Sequence, residues 1–464
     1  MQLSDKVKEV CKDIINNKQV KQSKKNKIIN DFKEEWGNIM FLSNLYNKYF
    51  DTYSLNNIEF KEYGIKSDIY IVPPLTYNSL EEKRVMLEEN LNCSIIFNHT
   101  KSSKWINSRF IFNQNKNKKF EIIKTKTCYD IYIGNDYSGN PIISDIRKYS
   151  HILVSGTTRS GKSKLTDCIL SNLIINNKPQ DLKLILIQVA KSDLCLYEDL
   201  EHTMAFADDL EKTRIVLKHI VETIIPDRDN RIRPYRKRAM LDNAYEYNIL
   251  KKGIDSMPMI LIVFDEMASL FDTKGNSKYV VDLKLEIEGY IQSIAQYGAS
   301  NSVFLLSSVQ RPTANLLPSF IKAMSNINIS FKQANRKSSE VATDDSNIAL
   351  GLKQREFVYN FDKWDYGIVP LISNQEIYKL IKPYLKPNHR TLFDDLQKMN
   401  NRDGIKKHKS LINIGTHFKT DDEILEENIK KIKNYVPYDQ NNKILIEENK
   451  GRRKLKWLQI EIKI

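Results

Sequence analysis

The chain has 464 residues, more than one small domain of roughly 100–200 residues accommodates, and 41% of them are hydrophobic against 28% charged. That balance excludes wholesale disorder and a collagen-like or membrane-embedded chain. Lys and Arg number 72 against 58 Asp and Glu, a formal charge of +14 that favours a polyanionic partner such as nucleic acid or an anionic membrane surface.

In the first 30 residues, eight lysines and three acids stand with no apolar run behind them, which does not fit a secretory signal. Val7, Val10, Ile14 and Ile15, then Trp36, Met40, Phe41 and Leu45, recur at helical spacing and predict a helical appendage over 1–57. Between 58 and 128 the pattern turns to short β-branched and aromatic runs at 68–72, 94–97 and 109–112 around a helix at 79–91, a small α+β domain. Its polar, basic loop 113–119 reads either as a solvated hairpin tip or as a phosphate contact. Residues 129–372 alternate apolar strands (151–154, 182–187, 259–264, 302–306) with amphipathic helices (164–175, 283–297), the pattern of a doubly wound parallel α/β sheet. From 373 to 464 follows a basic C-terminal extension ending in Lys450, Arg452, Arg453, Lys454 and Lys456 beside Trp457.

The longest apolar run, Met257 to Phe264, is less than half of the roughly 20 residues that a membrane span needs, so no span and a cytoplasmic chain are expected. The five cysteines (Cys11, Cys93, Cys128, Cys168, Cys195) form no C-x-x-C pair and read as reduced, mostly buried small hydrophobes.

The strongest local signal is Gly156-Thr157-Thr158-Arg159-Ser160-Gly161-Lys162-Ser163, followed by Lys164, which fits G-x-x-x-x-G-K-[ST] between an apolar strand and a helix. In such a loop, backbone N–H groups and the helix N-terminus face the phosphates of a nucleotide such as ATP. Lys162 adds positive charge, and the Ser163 hydroxyl is a ligand for Mg2+. About a hundred residues on, Asp265 and Glu266 end a fully apolar strand, where two adjacent carboxylates repel each other unless a cation or a water proton lies between them. Asp265 is assigned to Mg2+ through water and Glu266 to polarising the attacking water. Gln310, at the end of the run Leu305 to Val309, is placed to sense the γ-phosphate. The densest basic cluster of this region is Arg228, Arg231, Arg233, Arg236, Lys237 and Arg238, a candidate DNA contact, subunit interface or solvated face.

Taken in order, Ile131 to Gly134, Ser138 to Pro141, Asp145, His151 to Gly156, Ser160 to Ser163, the Asp265-Glu266 strand and Gln310-Arg311-Pro312 resemble the FtsK/SpoIIIE family of DNA-translocating ATPases. The likeness covers roughly 131–372, and the preceding α+β region resembles the small domain of members from Gram-positive conjugative elements. It implies a RecA-like P-loop motor working as a homo-oligomeric ring, usually a hexamer, with ATP and Mg2+ at subunit interfaces and double-stranded DNA in the channel. Lys162, Ser163, Asp265, Glu266 and Gln310 match the family's nucleotide-site positions. This chain departs from the family pattern in having Arg159 where Gly is usual, Gln188-Val189-Ala190-Lys191 where Asp-Pro-Lys is common, and Asn328 where an arginine is common. Arg311 and Arg336 are therefore the candidates for a trans-acting arginine. The function expected is an ATP-driven duplex-DNA translocase in conjugative transfer or mobile-element maintenance, with relaxosome or membrane-channel proteins as further partners. The alternatives are a type VII secretion-like protein-translocating ATPase and a nucleotide-switched DNA-binding adaptor without motor activity.

Overall fold

In the computed structural model, the described residues run from 2 to 396, leaving out 17, 100–102, 113–117, 190–192, 252–254, 311, 314, 315, 347, 363, 388, 390 and 395. Most of the polar loop expected at 113–119, the candidate Arg311 and the basic C-terminal cluster lie outside the described residues.

The first module comprises α1 (Leu3–Ile15), α2 (Gln22–Leu42), β1 (Ser54–Lys61), β2 (Gly64–Tyr70), α3 (Tyr77–Glu81), α4 (Arg84–Leu91), β3 (Ser94–His99) and β4 (Trp105–Ile111). Its strands form an antiparallel sheet in the order β1-β2-β4-β3. The boundary expected at residue 57 does not coincide with a break in packing. Val7, Val10 and Cys11 of α1 and Phe32, Trp36 and Met40 of α2 share one apolar core with Ile65, Ile69, Ile95 and Phe110 of the sheet. Phe32 and Trp36 meet the Phe110 ring edge-on at 5.0 and 5.5 Å, and the Trp36 indole N–H donates to the Tyr53 carbonyl at 2.7 Å. Each such fully buried large side chain contributes roughly 2 kcal/mol, so the helices complete the sheet's core rather than append to it.

The second module begins with β5 (Asp130–Asp136), β6 (Pro141–Asp145), α5 (Ile146–Tyr149), β7 (Ile152–Ser155), α6 (Lys162–Asn176), β8 (Leu182–Ile187) and β9 (Thr203–Ala207). Next come α7 (Leu210–His219), a π-helical turn, α8 (Ile225–Arg236), α9 (Ala244–Lys251), β10 (Met259–Phe264), α10 (Ala268–Phe271) and α11 (Lys278–Tyr297). It closes with β11 (Val303–Val309), α12 (Ser319–Met324), β12 (Ile327–Phe331), α13 (Arg336–Thr343), β13 (Glu356–Asn360), β14 (Trp364–Ile368) and α14 (Asn374–Ile381). The strands form one sheet in the order β6-β5-β14-β13-β12-β7-β11-β10-β8-β9. From β12 to β9 the neighbours are parallel, whereas β13, β14, β5 and β6 extend the sheet in antiparallel fashion.

Alternation along the strands divides the core in two, because successive side chains point to opposite faces. Leu184, Leu186, Leu261, Val263 and Leu306 pack with Leu165, Ile169 and Leu173 of α6. Ile185, Ile187, Ile260, Ile262 and Leu305 pack on the other face with Val216 of α7 and Ile287, Ile291 and Ile294 of α11. The extension expected from 373 begins inside the second module, since Ile377 and Ile381 of α14 belong to the α6-side core.

The two modules meet at a partly buried ion pair, Arg109 Nη1 to Asp136 Oδ2 at 2.5 Å, beside Ile96 and Ile111 packed on Tyr137 and Ile368. Among the described residues, no helix is long and apolar enough to cross a membrane. Cys11 and Cys168 are buried, Cys93 and Cys128 half-buried and Cys195 exposed, all as free thiols.

Candidate functional site

In an open parallel sheet, ligands collect outside the carboxyl ends of the strands. Three adjacent strands end there in the residues singled out above: β7 leads into the loop 156–161, β10 into Asp265 and Glu266, and β11 into Gln310. Because β11 lies between β7 and β10, Gln310 stands between the loop and the carboxylates. It touches both: the Gln310 N–H donates to Glu266 Oε1 at 3.2 Å, and Thr158 Oγ1 donates to Gln310 Oε1 at 3.2 Å.

The loop's path depends on its glycines. Gly156 and Gly161 have φ of +147° and +129°, and a Cβ on Gly156 would lie 2.6 Å from Phe331 Cβ. The Thr157 N–H donates to the Lys332 carbonyl at 2.9 Å, and the Ser160 carbonyl accepts from the Arg355 N–H at 2.7 Å. Arg159 adopts φ +61° despite its side chain, which explains why glycine suits this position elsewhere. Arg355, which nothing in the sequence singles out, takes φ +69° and ties the loop to the end of β14 through Nη1 on the carbonyl of Val369, the residue after that strand, at 3.0 Å. Gly161 caps α6 without a side-chain oxygen, so its first-turn N–H groups receive no side-chain cap.

Lys162 is buried and folds back on the loop, its Nζ donating to the Gly156 carbonyl at 2.5 Å and the Thr157 carbonyl at 3.0 Å. Lys164 instead ties α6 to α14, bonding Asp167 Oδ2 at 2.9 Å and Asn374 Oδ1 at 2.6 Å. Ser163 Oγ donates to Asp193 Oδ2 at 2.8 Å, a carboxylate the motif reading missed. Asp265 is buried, and its N–H continues the ladder to the Ile187 carbonyl at 3.1 Å.

These donors fit a hard divalent cation: Ser163 offers a hydroxyl and Asp265 a buried carboxylate, both oxygen ligands. Among the described residues, no cluster of three His, Cys, Asp or Glu side chains forms a self-contained metal cage. Mg2+ held jointly with nucleotide phosphates needs only one or two protein oxygens.

The arginine candidates separate by environment. Arg228 is buried and donates to the Asn301, Ser302 and Pro258 carbonyls at 2.6, 3.3 and 2.9 Å, a structural role. Arg231 pairs with Asp255 at 2.7 Å and Arg236 with Asp229 at 2.7 Å, while Arg233 and Lys237 are exposed and Arg238 half-buried. Arg336 is exposed at the first turn of α13. Asn328, in place of a common arginine, is buried and donates to the Ala342 carbonyl at 2.7 Å.

Residues 114–314 match the model of the FtsK/SpoIIIE family. The chain carries an FtsK/SpoIIIE domain. It is 26% identical over 275 residues to the DNA translocase FtsK of Helicobacter pylori strain J99, covering 58% of this chain and 31% of that protein. To the DNA translocase FtsK of Clostridium tetani it is 30% identical over 218 residues, covering 46% and 27%. The chain thus spans less than a third of the length of either relative. Among solved structures, the pCW3 conjugation coupling protein TcpA, a monomer form with ATPγS, aligns at TM-score 0.53 and 20% identity, covering 76% of this chain and 99% of that one. The FtsK/SpoIIIE domain therefore has the RecA-like P-loop fold, with loop 156–163 at the carboxyl ends of strands β7, β11 and β10.

Proposed function

We propose that this chain hydrolyses ATP and uses the turnover to move along duplex DNA as a homo-oligomeric ring, in conjugative transfer or maintenance of a mobile element. The observation that carries the reading is the Gln310 bridge, which joins Thr158 of the phosphate loop to Glu266 in one hydrogen-bonded line. A strand-end glutamine so placed links phosphate occupancy to the carboxylate that orients the attacking water. Ser163 and Asp265 would hold Mg2+, which neutralises charge developing on the phosphates. Lys162 leaves its loop carbonyls for the phosphates, and Glu266 accepts the water's proton. The pCW3 protein of like fold is a conjugation coupling protein, which supports the conjugative reading.

The test is steady-state ATP hydrolysis with linear duplex DNA, with single-stranded DNA and without nucleic acid, across a salt series. Stimulation by duplex that fades with salt supports the reading, since phosphate contacts weaken as counterions compete. Glu266→Gln is expected to lower hydrolysis by at least about 100-fold with ATP binding retained, and Lys162→Ala to abolish binding. Wild-type hydrolysis by Glu266→Gln would overturn it.

A further inference from the structure

We propose that Asp193 is a positioning residue of the nucleotide site, which orients the Ser163 hydroxyl toward Mg2+ and makes ATP binding depend on the cation. The inference rests on the ATP reading given above. Ser163 has a single hydroxyl proton, and it is committed to Asp193 Oδ2 at 2.8 Å. A hydroxyl that donates in this way keeps its oxygen lone pairs for a cation, and a hydroxyl bound to a divalent ion becomes a stronger donor to a carboxylate.

The segment that follows Asp193 is held in place at two points. The Leu194 N–H donates to Gln188 Oε1 at 2.7 Å and the Leu194 side chain is buried. Farther along, the buried Tyr197 hydroxyl donates to Asp167 Oδ1 on α6 at 2.9 Å. Gln188 directly follows β8 and Asp167 lies one turn beyond Ser163, so these bonds anchor the segment to both sheet and helix. Asp193 itself is exposed and makes no contribution to the core, which argues for a role at Ser163, its hydrogen-bonded neighbour.

The electrostatic consequence is specific. A carboxylate one hydroxyl away from the triphosphate's binding loop repels cation-free ATP and favours ATP accompanied by Mg2+. Replacing Asp193 by asparagine keeps an oxygen that accepts the Ser163 proton but removes the charge, whereas alanine removes both.

The experiment measures the Kd of a fluorescent ATP analogue for the full chain, once in saturating Mg2+ and once in EDTA, for wild type, Asp193→Asn, Asp193→Ala and Asp193→Glu. Asp193→Asn is expected to shrink the EDTA-to-Mg2+ ratio of Kd values by about tenfold, mainly by binding ATP more tightly in EDTA. Asp193→Ala shrinks it at least as far, by also weakening binding in Mg2+, and Asp193→Glu restores part of the ratio. A ratio for Asp193→Asn within about twofold of wild type overturns the proposal. Failure of the wild type to bind the analogue in either condition overturns the ATP reading instead. Unfolding midpoints of the three variants equal to wild type guard against a folding defect, which the exposed position makes avoidable.

Discussion

His151, immediately before β7, gives the fold a defined sensitivity to acid. The ring is fully buried, and both nitrogens are used: Nδ1 accepts the Leu305 N–H at 3.1 Å and Nε2 faces the Ala295 carbonyl at 3.0 Å. An acceptor Nδ1 and a carbonyl partner fix the neutral Nε2–H tautomer, so a second proton would break the bond to β11 and bury a charge. Burial accordingly pushes the imidazole down from 6.5 to about 4. As pH falls below about 6.5, the unfolded chain takes up a proton that the native ring refuses, and native stability declines until the ring itself protonates near 4. At 1.36 kcal/mol per pH unit the full effect is about 3 kcal/mol, of which about 2 kcal/mol is lost between about pH 7.5 and about pH 5. His202, also held down by burial, adds in the same direction. Denaturant unfolding of wild type and His151→Leu at the two pH values isolates the His151 share. The variant is less stable throughout but loses about 2 kcal/mol less on acidification. Equal losses in the two proteins would refute the assigned tautomer and its energetics.

Gly156→Ala places a Cβ 2.6 Å from Phe331 Cβ at φ +147°, and is expected to cost about 2 kcal/mol of stability together with ATP binding, read by calorimetry and ligand titration. Arg228→Met leaves three buried carbonyls without their donor and should lower stability by about 2 kcal/mol, read by chemical unfolding, while leaving the salt dependence of DNA binding unchanged. Arg233→Ala should flatten that salt dependence by about one counterion if α8 meets phosphate, whereas Arg231→Ala, whose side chain is paired with Asp255, should change it less. A DNA titration against salt that ranks the two variants the other way would remove α8 from the DNA surface.

The parallel half of the sheet was legible because buried parallel strands leave continuous apolar runs, and the phosphate loop because its spacing is dictated by its ligand. Other features have no local signature. Trp36 and Met40 read as part of an amphipathic helix, yet Phe110, the partner of Trp36, lies more than 70 residues away, so the sequence suggested an appendage where there is one core. Arg228 was indistinguishable from its charged neighbours, since a basic run does not reveal which member is buried. The positive φ of Arg159 and Arg355 is invisible without glycine or asparagine to mark it. Asp193 was hidden by the replacement of the family's Asp-Pro-Lys. The available signal was an acid immediately before the buried Leu194.

The αL turn at Arg355 also links loop 156–161 to the N-terminal module. Its N–H holds the Ser160 carbonyl, its own carbonyl accepts the Val369 N–H at 2.9 Å, and three residues before Val369 the Tyr366 ring lies beneath the Arg84 guanidinium, 5.2 Å away. A tug on the loop therefore has a route of one hydrogen-bonded residue and one short strand to the N-terminal module, without crossing the parallel sheet. The antiparallel strands in this respect behave as a tendon, attaching loop 156–161 to the N-terminal module.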